Sequence, residues 1–494
     1  MPRIVFGVVA TILAVFTSEA KQSEVSVTIE QGTVVGVQNE TVAMFKGIRY
    51  VEPVTNDNRW QPPEPLSDSS QTFQSRDFGK RCPQSQAQDT SEDCLFINVF
   101  TAQNPFSESG RPVLVWIHGG GFVGGAGNLS DETIEHWVNQ GVVLVSFNYR
   151  LGALGIFAHP QLANSRGANF SLMDMVAALE WVGNNIAAFG GNPGNITIAG
   201  GSAGGMAVQL LMVSQQSEGL FHHAISQSGY GTWPLPRTSE VAPLGGSPSA
   251  EMLAEGIASR ASGKREALNK DALYALSPGA LVSAIQGFHL PVVDGQSLPE
   301  EPGILFSRGE QHAVPYLSGG NSFDGSVYPY SGVQPDTLLA MTNKYTETVQ
   351  RHYGLSEPSF QARPFQHLFG DMRYVLAAAV TAAGMQNTLA PGYRYFFDMH
   401  ENGPGRASHG SEVNVLFTAP ASDAQRHMQA YWRNFIVSGN PNSEALPDWK
   451  AVDAKGENWM VLGKEIRSVK TVREKKLSTL MKVYRERVKP VVKK

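Results

Sequence analysis

The sequence predicts an α/β fold: a mostly parallel central sheet with helices on both faces. Two patterns carry this. First, residues 96–100, 113–117 and 142–147 are nearly continuous apolar runs rich in β-branched and aromatic side chains, as expected of strands buried on both faces. Second, strand-like and helical segments alternate. Residues 172–186 repeat Leu172, Val176, Leu179 and Val182 along one helical face, and the short strand 196–199 follows directly. Such alternation places helices between parallel neighbours.

Composition supports a large folded core. Of 494 residues, 42% are hydrophobic and only 17% charged, too few charges for a disordered chain. The formal net charge of −5 excludes a basic nucleic-acid or anionic-membrane binding surface as the organising feature. No feature sets the oligomeric state.

Taken in order, the chain opens with Arg3, an apolar run over 4–16, and the small residues Ser18 and Ala20. This reads as a secretory signal peptide over residues 1–20, because a membrane-spanning helix needs about 20 apolar residues. No later segment approaches that length, so the expectation is export, extracellular or periplasmic, with residues 21–494 as one domain. Residues 25–29 alternate as a half-exposed strand, and 33–37 follow across a turn at Gly32. Segments around Pro53 and Pro62-Pro63 read as loops. Residues 234–287 read as an insertion over the sheet with two short helical stretches. Residues 474–488 read as a basic amphipathic helix on the solvated surface.

Two cysteines, Cys82 and Cys94, flank a polar stretch able to close on itself. A bridge there would contribute about 3 kcal/mol on the loop-entropy account. Their spacing, with no neighbouring histidine, does not suit a zinc site. Asn39, Asn128, Asn169 and Asn195 stand in glycosylation sequons, relevant if the source is eukaryotic.

The chemistry is concentrated in two glycine-rich turns. Gly200-Gly201-Ser202-Ala203-Gly204 fits G-x-S-x-G between the strand 196–199 and an apolar helical stretch, 206–212. A strand that turns at once into a helix lifts the serine to the sheet's carboxyl edge, and the flanking glycines leave room for the turn. The helix N-terminus favours developing negative charge. His118-Gly119-Gly120-Gly121-Phe122 follows the strand 113–117. Three glycines aim backbone N–H groups at one point, and the N–H of Ala203 completes the donor set. A phosphate loop is the alternative, but no Lys-Ser/Thr follows. His118 precedes the loop and reads as structural.

With these motifs the chain resembles the type-B carboxylesterase family, which includes the cholinesterases, from about residue 33 to 462. The likeness rests on Glu92-Asp93-Cys94-Leu95, His118 to Phe122, Asn148-Tyr149-Arg150-Leu151-Gly152, Ala187 to Pro193, and Ser202-Ala203-Gly204-Gly205. It implies an α/β-hydrolase fold and a serine carboxylesterase that forms an acyl-enzyme. It also implies a Cys82–Cys94 bridge, oxyanion donors at Gly120, Gly121 and Ala203, and small-molecule esters as substrates, with no metal or other cofactor. Ser202 is then the nucleophile. Among the histidines His409, in Ser408-His409-Gly410-Ser411-Glu412, looks like the family's catalytic loop, while the pair His222-His223 reads as packing. The acid falls between nucleophile and base, at Asp324 in Gly320 to Ser326, where the family usually has Glu. Asp294 is the rival but reads as a turn. Ser228 matches a supporting serine of the family, or simply caps a strand end.

The pattern breaks at Gly201, where the family usually has Glu. With no aromatic residue in the Cys82–Cys94 loop, the expectation is a pocket less suited to cations than in cholinesterases. A lipase, a toxin or xenobiotic ester hydrolase, and a non-catalytic adhesion or binding protein are the alternatives. Non-catalytic relatives typically lack the nucleophile, and residues 234–287 are too polar to argue for a lipase lid.

Overall fold

The apolar runs assemble into one sheet. The computed structural model describes residues 23–67, 71–103, 110–162, 167–241, 248–400 and 407–492; the signal peptide expected over 1–20 lies outside them. Thirteen strands occur among the described residues. They are β1 (Ser23–Ile29), β2 (Gly32–Gln38), β3 (Val42–Arg49), β4 (Gln71–Gln74), β5 (Phe96–Ala102), β6 (Arg111–Ile117) and β7 (Val143–Phe147). There follow β8 (Gly191–Gly201), β9 (His223–Gln227), β10 (Tyr316–Asn321), β11 (Gly392–Phe397), β12 (Trp459–Leu462) and β13 (Ile466–Val469).

The order is β1-β2-β3-β5-β7-β6-β8-β9-β10-β11-β12-β13, with β4 beside β2. From β7 through β12 every neighbouring pair is parallel, and antiparallel strands flank this block on both sides. The sheet is mostly parallel where the chemistry is expected.

Side-chain alternation divides the core in two. On β6, Val113, Val115 and Ile117 enter one apolar cluster while Leu114 and Trp116 enter the other. Strands buried on both faces must be apolar at every position, hence the continuous runs. Each fully buried Val or Ile side chain stabilises by about 1.5–3 kcal/mol. The helices Phe170–Asn185 and Ala203–Leu211 cover one face, and Asp131–Val138 and Asp423–Ser438 the other.

Three expectations change. The insertion carries three helices rather than two, Ala250–Ser262, Lys270–Tyr274 and Pro278–Ser283, and their Ala254, Ile257, Leu273 and Leu281 share an apolar cluster. The last helix, Glu474–Val492, is not merely a solvated surface element. It buries Leu477, Leu480, Val483 and Tyr484, and Arg487 pairs with Glu301 at 2.7 Å. The sequon at Asn169 is closed: the side chain is 1% exposed, and its amide donates to Val292 O and Ser297 Oγ.

Cys82 and Cys94 are bonded to each other. Asn148 holds the end of their loop by donating to Cys94 O at 3.1 Å and Lys80 O at 3.0 Å, and it accepts from Gly127 N at 2.8 Å. The family-like motif residues around it are structural struts. Arg150 forms a buried pair with Asp174, Arg59 pairs with Glu92, and Tyr149 Oη donates to His118 O at 2.7 Å.

Candidate active site

β8 ends at Gly201, and the helix Ala203–Leu211 begins two residues later, so Ser202 alone takes the turn, at φ 59° and ψ −119°. For a residue with a side chain such a conformation costs about 1–3 kcal/mol and persists only where the surroundings impose it. Here Ser202 N donates to Gln227 O at 2.8 Å. A Cβ on Gly200 would lie 2.5 Å from the Gly204 backbone, and one on Gly204 would lie 2.0 Å from Ile117 O. Both glycines of G-x-S-x-G are therefore required by close backbone approach.

The glycine loop after β6 lies against this turn. A Cβ on Gly119 would sit 2.6 Å from Gly201 O and 3.2 Å from Ser202 Cβ, and one on Gly120, at φ 116°, would meet Gly124 O at 2.1 Å. Gly121 also has positive φ, 63°. The N–H groups of Gly120, Gly121 and Ala203 meet no acceptor among the described residues. They remain available for an external oxygen. His118 is buried and stacked on Tyr149, and its Nδ1 lies 2.9 Å from Gly119 O. Burial pushes its pKa down to about 4, so the ring is neutral and braces the loop.

Because β8, β9, β10 and β11 are consecutive and parallel, their carboxyl ends bring distant segments together. Asp324, just past β10, and His409, in the loop after β11, meet at 2.8 Å between Oδ1 and Nδ1. Asp324 Oδ2 also accepts from Asn321 N at 2.6 Å, and His409 N donates to Ser326 Oγ at 3.0 Å. The Tyr374 ring packs 4.7 Å from the imidazole, centroid to centroid. His409 Nε2 is buried with no protein partner. One ring nitrogen is fixed by Asp324, and the other has no partner among the described residues.

Ser228, at the end of β9, does more than cap a strand. Its hydroxyl lies 3.1 Å from both oxygens of Asp324 and 3.1 Å from Glu412 Oε1. Glu412 Oε2 accepts from Asn321 Nδ2, whose other contact is Ser408 O at 2.8 Å. Burial first, and the Asp324 charge second, push the Glu412 carboxyl up to about 7. Two carboxylates thus share one hydroxyl, and the protein favours a proton on Glu412 rather than a second negative charge. Glu412 has no role assigned from the sequence alone. Its spacing three residues after His409, which returns it to the same face of the turn, was the available signal.

The rival acid is elsewhere. Asp294 closes its own turn by accepting from Gln296 N and Leu298 N, and it reaches Ala168 N at 2.8 Å. His222 and His223 pack: His222 Nδ1 accepts from Ile196 N at 3.2 Å, and His223 lies 3.2 Å from Thr197 Oγ1. At Gly201 the space a side chain would take belongs to Val413, whose Cγ2 would be 2.9 Å from a Cβ there, with Trp116 at 3.7 Å. An apolar wall stands where a carboxylate is usual.

The chain matches the Carboxylesterase family over residues 23–480. It is 32% identical to the fumonisin B1 esterase of Sphingopyxis macrogoltabida, across 89% of this chain and 86% of that protein. It is 30% identical to the para-nitrobenzyl esterase of Bacillus subtilis (strain 168), across 89% of this chain and 95% of that protein. A solved structure of a PNB esterase superposes with a TM-score of 0.78 at 29% identity, covering 92% of this chain and 99% of that one.

Proposed function

Since the chain belongs to the carboxylesterase family, with its α/β-hydrolase fold, and is a serine hydrolase of carboxylic esters, we propose that Ser202, His409 and Asp324 perform the hydrolysis. Ser202 Oγ attacks the ester carbonyl as His409 Nε2 takes its proton. The carbonyl oxygen becomes an oxyanion held by the N–H groups of Gly120, Gly121 and Ala203. The C–O bond to the alcohol then breaks, and the alcohol leaves with the proton from His409. Water, deprotonated by the same nitrogen, attacks the acyl-enzyme and releases the acid. Asp324 keeps the histidine in the tautomer with Nδ1 protonated and stabilises the imidazolium that forms at each step. Ser228 and Glu412 are positioning residues that hold Asp324 in place.

One observation supports this most: His409 Nδ1 meets Asp324 Oδ1 at 2.8 Å, while Nε2 is buried and has no hydrogen-bond partner among the described residues. We also place the protein outside the cytoplasm, a compartment in which a bridge such as Cys82–Cys94 persists. No helix among the described residues is long and apolar enough to cross a membrane. A fluorophosphonate probe tests the assignment. It is expected to label Ser202, and Ser202→Ala is expected to lower kcat on p-nitrophenyl butyrate by about 10⁴-fold or more. Labelling at another residue with activity intact in the variant overturns it.

A further inference from the structure

Arg373 is anomalous. It lies in a π-helical turn, Asp371–Val375, that interrupts the helical run from Arg363–Gly370 to Leu376–Gly384. Its side chain is 1% exposed, yet Nε and Nη2 have no well-aligned hydrogen-bond partner, although the Tyr230 and Tyr374 hydroxyls interact with the guanidinium. An arginine cannot shed its proton to relieve such burial. Aromatic rings hold the cation: Tyr230 at 3.9 Å, Trp233 at 4.8 Å, Phe288 at 5.6 Å and Tyr374 at 5.8 Å from the guanidinium carbon. Ring faces attract the charge but do not satisfy the N–H groups at the edge of the guanidinium plane. Those two nitrogens form one edge of the fork, the edge that binds a carboxylate bidentately.

The nearby carboxylates are committed elsewhere. Asp371 pairs with Arg473 and accepts from Tyr353 Oη at 2.9 Å, and Asp324 is held by His409. Arg373 also borders a cavity of about 340 Å³ under the insertion helices. The lining includes a second guanidinium, Arg260, and apolar walls such as Phe157, Trp233 and Ile257, but neither Asp nor Glu. The cavity wall touches the glycine loop. Phe288, in its wall, lies against Gly121, where a Cβ would be 2.6 Å from Phe288 Cδ1, and His289 N donates to Gly121 O at 2.9 Å. Tyr374, next to Arg373 in the chain, packs on His409.

We propose that Arg373 makes this cavity a carboxylate-binding subsite, so that the preferred substrates are esters that carry a free carboxylate beyond the scissile bond. The proposal rests on the esterase reading above. It agrees with Gly201, where Val413 stands in place of the negative group that would have opposed an anionic substrate.

Monomethyl and dimethyl esters of dicarboxylic acids of rising chain length provide the test. At the best length the wild type is expected to favour the anionic monoester at least tenfold in kcat/KM. Arg373→Gln is expected to lower the monoester-to-diester ratio at least tenfold, mostly through KM, and Arg373→Lys to recover part of it. Preference for the diester at every length, or a ratio unchanged in Arg373→Gln, overturns the proposal. If the variants do not fold, inhibition of wild-type p-nitrophenyl butyrate hydrolysis decides. The anionic monoamides of the same acids should compete more tightly than the neutral diamides, and equal inhibition overturns the subsite. Because p-nitrophenyl butyrate carries no second charge, its hydrolysis by wild type and Ser202→Ala reports on the esterase reading separately.

Discussion

The two halves of the candidate site are built from different material. The Ser202 half is backbone: a strained turn and glycines packed against carbonyls at distances no Cβ tolerates. The His409 half is side chains: an imidazole, two carboxylates, an amide and a hydroxyl, nearly all buried and bonded to one another. The first half shows locally in the sequence as glycine-rich turns, which pack against backbone far along the chain, as Gly204 does against Ile117 O, and it fails when a methyl group is added. The second is assembled across partners 85 to 184 positions apart and fails when a charge or a proton is misplaced.

Substitutions can break that contrast. The largest effect is expected from Asp324→Asn, which keeps the shape of the side-chain half but removes the charge that orients His409. Activity on p-nitrophenyl butyrate should fall about 10⁴-fold, with the melting temperature changed little in comparison. A loss under tenfold would remove Asp324 from the assignment.

Gly120→Ala attacks the backbone half. At φ 116° and with Gly124 O 2.1 Å from the added Cβ, the loop must move. Misplacing one oxyanion donor should lower kcat about 10²- to 10³-fold, and here stability should fall as well. Wild-type activity in this variant would mean that the loop does not hold the oxyanion.

Glu412→Gln sharpens the comparison and has the smallest effect. The folded protein raises the Glu412 carboxyl to about 7 from an ordinary value near 4.5. It therefore favours the protonated form, and this stabilisation is complete below about pH 4.5 and lost as pH rises through about 7. The glutamine, which keeps a donor toward Ser228, should match wild type at pH 4.5 and exceed it at pH 8, by on the order of 2 kcal/mol in urea unfolding. His118 and His223, each pushed down to about 4 mainly by burial, give the opposite slope. Both proteins carry them, so the difference isolates Glu412. Parallel profiles would show that no proton resides there.

What was readable follows the same division. Residues 113–117 and 196–199 announced buried strands because both faces of a parallel sheet exclude water, and the turns after them were visible as glycines. Ser228 is legible only through the family resemblance. Glu412 had no assigned role, since nothing near it in the chain says that Asn321 and Ser228 will be its partners. The insertion reads as two short helical stretches because its apolar stripe, Ala254 to Leu281, is spread over three helices. The closing helix read as surface because its lysines outnumber the leucines that dock it. Asn169 kept its sequon while losing its accessibility.

By itself, then, the chain determined where the backbone must turn sharply and which residue stands on each turn, because sterics at glycines and apolar periodicity act over a few positions. Only the tertiary structure decided which charges meet. The order of β8, β9, β10 and β11 carries Ser228, Asp324 and Glu412 to one point, and the packed core leaves Nε and Nη2 of Arg373 among aromatic rings. Burial strengthens every such electrostatic term, and burial is a property of the assembled molecule rather than of any local stretch.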